Sequence, residues 1–119
     1  MLKEYKKVSQ EKTGWRRLFT DDKFDLYVWY DRPDGEITGF QLVELSGAES
    51  RHALTWERGR GSWYAGIMTK GISYATPLLV LNGAFRKEVI YKRFCSIDGD
   101  LPPEIQQLAR QVIQDHQDD

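Results

Sequence analysis

Two histidines, one cysteine and scattered carboxylates are the residues of this chain that could hold a metal, attack an electrophile or move a proton. A metal needs ligands that converge, and His52, His116 and Cys95 stand far apart with no HxxxH, HExxH or CxxC spacing. His116 continues the apolar stripe of the last helical segment eleven residues after Ile105, which predicts a partly covered terminal histidine. A nucleophilic Cys95 would need a base and an electropositive pocket. It follows Phe94 near a helix end, the setting of a small buried thiol. Ser9 and Lys12 match an SxxK string inside a polar segment with no supporting motif, which is expected by chance. Asp25 and Asp31 share one side of a strand, six residues and roughly 20 Å apart. That separation exceeds the span used by either class of paired-carboxylate glycosidase. Gly59-Arg60-Gly61 is not a phosphate cradle, because no strand-to-helix junction accompanies it. No catalytic residue, cofactor or metal is therefore expected, and an enzyme would have to use a small pocket with no sequence signature.

Aromatic residues interleaved with arginine give the sharper signal. Trp15-Arg16-Arg17, Trp56-Glu57-Arg58-Gly59-Arg60 and Trp63-Tyr64 combine rings and cations in the way single-stranded nucleic acid is held. Against that reading stand a net charge of −1, a pI near 6.1 and the missing glycine–aromatic signature of RNA-binding sheets. Charge is instead polarised along the chain. Lys3, Lys6, Lys7, Lys12, Arg16 and Arg17 oppose only Glu4 and Glu11 at the start, while six acids oppose only Arg110 after Ile97. Such ends could attract one another or a partner, although solvated tails are the simpler expectation.

These side chains must be placed by a mostly β framework. Residues 1–13 are polar and read as an extension, with a short helix as one option, ahead of one domain over residues 14–119. Phe24–Tyr30 alternates with period two: Phe24, Leu26, Val28 and Tyr30 on one side, Tyr27 and Trp29 on the other, flanked by Asp25 and Asp31. Both sides are apolar or aromatic, whereas a strand with one wet face would show plain polar residues there. Trp15–Phe19 precedes it. The turn chemistry of Asp31–Gly35 leads to a third strand, Ile37 to about Leu45. The expected register sets Val28 against Thr38, Leu26 against Phe40 and Tyr27 against Gly39. His52–Arg58 and Ser62–Met68 form a second hairpin around Gly59–Gly61, with Trp56 expected opposite Tyr64. Residues 69–76 connect to a short strand from Pro77 to Leu81. A helix follows within Phe85–Cys95, and a last one carries Ile105, Leu108, Ala109, Val112 and Ile113 at helical spacing behind Pro102-Pro103.

At 119 residues, with 40% apolar and 29% charged, the chain suits one globular domain. Its longest apolar run, Leu78–Leu81, is far too short to cross a bilayer. The absence of a secretory pattern and the single cysteine lead to a cytoplasmic expectation.

The strings Phe24-Asp25-Leu26-Tyr27-Val28-Trp29, Ile37-Thr38-Gly39-Phe40-Gln41-Leu42, His52-Ala53-Leu54-Thr55-Trp56 and Pro77-Leu78-Leu79-Val80-Leu81-Asn82-Gly83 resemble a family of small bacterial proteins of unknown function. The resemblance covers residues 15–115. It implies a bacterial cytosolic protein with a single compact domain and brings no catalytic residue with it.

Strands first and helices last predict an α+β fold. The expectation is a curled antiparallel sheet of about five or six strands with two C-terminal helices packed on one face. The other face is expected to carry Tyr27, Trp29, Trp56, Arg58 and Tyr64. As a binding surface, it has Trp29 and Trp56 as anchors, Arg58 and His52 as polar specificity groups, and Glu57 or Asp31 at the rim. The function expected is non-catalytic binding of a partner protein, a second copy of the chain or a small ligand. Single-stranded nucleic acid is the alternative, and no membrane partner is expected. The competing structural expectation places these rings in a second small core under residues 69–76.

Overall fold

A computed structural model describes residues 1–5, 15–32, 35–45, 50–68, 77–78 and 86–117. The first sequence element that matters is Phe24–Tyr30, here β3, whose four apolar residues at even positions are all buried. Period two then propagates to its neighbours. Before it come β1 (Lys3–Tyr5) and β2 (Trp15–Thr20); after it come β4 (Ile37–Glu44), β5 (Ser50–Glu57), β6 (Gly61–Met68) and β7 (Pro77–Leu78). Every neighbouring pair is antiparallel, and the strands lie in sequence order from β1 to β7. Five strands of six to eight residues thus form the body of the sheet, with two short strands at its edges. Helices α1 (Lys87–Ile97) and α2 (Pro103–Asp115) close the chain. The α+β expectation holds.

One face of the sheet carries the core. Phe19, Phe24, Leu26, Val28, Tyr30, Ile37, Phe40, Leu42 and Leu54 pack in one cluster with Ile90 and Phe94 of α1 and Ile105, Ala109, Val112 and Ile113 of α2. The helical stripe read for α2 is therefore its buried face, with Leu108 half-buried beside it. Helix α1 begins two residues later than Phe85, and its Val89 is exposed while Ile90 and Phe94 face the core. Between the helices, the buried Asp98 receives Arg110 Nε and Nη2 at 2.7 and 3.0 Å, and its carbonyl accepts from Leu101 N and Gln106 Nε2. That clamp fixes the angle at which α2 returns along the sheet.

The registers differ from expectation by an even step. Leu26 faces Leu42 and Val28 faces Phe40, so Trp29, not Tyr27, stands opposite Gly39. Between Trp29 and Tyr30 the pairing shifts by one, and Tyr30 meets Ile37. In the second hairpin the loop is Arg58-Gly59-Arg60, Trp56 faces Ser62, and Leu54 faces Tyr64. Gly59 and Gly61 both take positive φ, 86° and 90°, which glycine adopts without a Cβ clash. A slip of two leaves each side chain on its own face, whereas a slip of one would invert the strand.

The start of the chain departs from the extension expected for it. Leu2 is fully buried, its N–H donates to Ile97 O at 3.0 Å, and Lys3–Tyr5 pair with Leu18–Thr20. Glu4 holds Arg17 through two 2.8 Å bonds. The start of the chain thus meets the end of α1 through Leu2 and a backbone bond. Within the charged ends, Arg17 pairs with Glu4 and Arg110 with Asp98. The expected strand beyond Leu78 and the connection at 69–76 lie outside the described residues.

Leu54 is 1% exposed and faces Leu42 at the centre of the sheet. Leu54→Ala should cost about 2–5 kcal/mol of unfolding free energy in urea titration. A loss below 1 kcal/mol would mean that Leu54 lies outside the core.

Candidate functional site

The six residues singled out from sequence do not share one surface. Tyr27 and Trp29 alternate against the buried Leu26, Val28 and Tyr30, and so face away from the helices. His52, Trp56 and Tyr64 face the helices, in step with Leu54 and with the residues they oppose on β4 and β6. Arg58 lies in the hairpin turn. The physical reason is the β4–β5 register. Leu42 pairs with Leu54, so period two carries Trp56 and His52 inward along with it. An aliphatic pair at the centre of the sheet outweighs the preference of the flanking rings.

On the helix side, these rings support the core rim. Trp56 stacks on Phe40 with centroids 5.9 Å apart and packs against the main cluster. His52 and Tyr64 stack at 5.8 Å and 17°, and the Tyr64 hydroxyl donates to Glu44 Oε1 at 2.9 Å. Glu44 is 9% exposed, so this bond satisfies a carboxylate that burial would otherwise penalise. His116, expected to be partly covered, is buried; it lies 2.8 Å through Nδ1 from Ser62 Oγ and ties the end of α2 to β6. A serine–histidine contact of that length has the reach of a nucleophile and its base. The contact satisfies two polar groups under a helix end. Arg58 Nε and Nη2 donate to Ile37 O at 3.1 and 2.8 Å, and its guanidinium lies over Trp56. It pins the β5–β6 turn to the bulged end of β4.

Elsewhere, polar groups are paired in similar ways. Arg17 is held in its charged form far above its ordinary range, chiefly by its bonds to Glu4, and it also reaches the Tyr30 hydroxyl. Tyr91 has its ionisation pushed up, first by its bond to Cys95 one turn along α1. Cys95 is half-buried. Arg110 is likewise raised, first by Asp98. Among the described residues, no three His, Cys, Asp or Glu side chains converge in a metal-binding group. A shallow cavity of about 340 Å³ at the start of α1 is lined by Arg86, Lys87, Glu88 and Val89 and gathers no acid–base pair.

The helix-free side is ordered as a grid. One row across the strands reads Tyr5, Leu18, Tyr27, Gln41, Thr55, Trp63. The next reads Arg16, Trp29, Gly39, Glu57, Gly61, and on the other side Lys3, Thr20, Asp25, Val43, Ala53, Ala65. Tyr27 and Trp29 stack at 5.9 Å and 20°. Gln41 Nε2 donates to Thr55 Oγ1 at 3.1 Å in the middle of the first row. Tyr5 is half exposed at one end. Val43 and Ala53 form a small cluster with Tyr27 and Leu45, to which neither helix contributes. Gly39 stands opposite Trp29, and a Cβ there would come 2.7 Å from Trp56 O, so the close β4–β5 approach requires glycine. Sequence reasoning missed Leu18, Gln41, Thr55 and Trp63 as companions of Tyr27. Their common parity with Tyr27 across the paired strands is the signal that finds them.

No protein-family model, curated protein sequence or solved structure matches this chain. Among the described residues, no helix is long and apolar enough to cross a membrane.

Tyr64→Phe removes the donor to buried Glu44 and should lower unfolding free energy by about 1–3 kcal/mol. Thermal and urea melts that match wild type would remove the structural role given to this pair.

Proposed function

We propose that this chain is a non-catalytic binding module whose contact surface is the helix-free face of its sheet, and that the partner is a protein. The observation that carries this reading is the stacked Tyr27–Trp29 pair on a face to which the helices contribute nothing, beside the Gln41–Thr55 polar pair. Rings of this kind, with one or two polar groups among them, supply most of the energy in protein interfaces. The surface is a broad sheet face spanning six strands, about 24 Å at the usual strand spacing. A small ligand would favour a concave cleft that surrounds it.

Single-stranded nucleic acid is the weaker reading. Arg17 is committed to Glu4 on the opposite face, and Arg58 to a backbone carbonyl. On the helix-free face, Lys3 and Arg16 are balanced by Asp25 and Glu57, which gives no track for phosphates.

Immobilised wild type and variants, exposed to a lysate of the source cells, test the reading. Tyr27→Ala and Trp29→Ala should abolish capture of any specific partner, while His52→Ala should retain it, with folding checked by circular dichroism. Loss with His52→Ala and retention with both Tyr27→Ala and Trp29→Ala would contradict it.

A further inference from the structure

We draw no further inference here: the strongest candidate, the cavity of about 340 Å³ at the start of α1 lined by Arg86, Lys87, Glu88 and Val89, rests on a helix N-terminus alone, and among the described residues no buried, unpartnered polar side chain lines it to point to a ligand.

Discussion

Leu42 and Leu54 face each other across β4 and β5, and almost everything else in this protein takes its orientation from that pair. Both are 1% exposed and belong to the cluster that the helices cover. Because side chains alternate along a strand, burying Leu42 also buries Phe40 and turns Gln41 and Val43 to the other side. Burying Leu54 draws His52 and Trp56 inward and sends Ala53, Thr55 and Glu57 out. The hydrophobic gain from such a pair, about 1.5–3 kcal/mol per side chain, exceeds what a half-buried ring loses by facing the core rim. The aromatic residues of the second hairpin are thereby divided. Trp56 and Tyr64 serve the helix-covered core, and Trp63 joins Tyr27 and Trp29 on the opposite face.

The polar groups drawn inward with them are satisfied locally. Glu44 accepts from Tyr64, His116 meets Ser62, and Asp98 takes two bonds from Arg110. The first joins β6 to β4, the second joins β6 to the end of α2 and the third joins the two helices, each at a place where an unpaired group would cost more than the bond contributes. On the helix-free face the pairing is different in kind. Gln41 with Thr55 and Thr20 with Asp25 are bonds between neighbouring strands, which link β4 to β5 and β2 to β3 across that face.

Much of the architecture was legible from periodicity. Phe24–Tyr30 announced a strand by strict alternation, and Ile105–Ile113 announced a helix by its stripe. Errors of two residues in the hairpin registers did no harm, because parity survived them. The candidate surface was less legible for a definable reason. Linking the first hairpin to the second requires the β4–β5 register, and Ser46–Ser50 carries no tight-turn signature that fixes it. Without the Leu42–Leu54 pair, the rings of both hairpins read as one patch. The edge strand β1 was hidden as well, since Leu2 is a lone apolar residue among charges and reveals its role only by filling the core.

The allocation of the four indoles to two faces is the central claim, and proton NOE spectroscopy with assigned indole and methyl resonances tests it most directly. Trp15 and Trp56 pack against the helix-covered cluster and should show contacts to its methyl groups. Trp29 and Trp63 should show none to Ile90, Ile105, Val112 or Ile113. Cross-peaks from Trp29 to those helix methyls, with none from Trp56 to the core, would contradict the account.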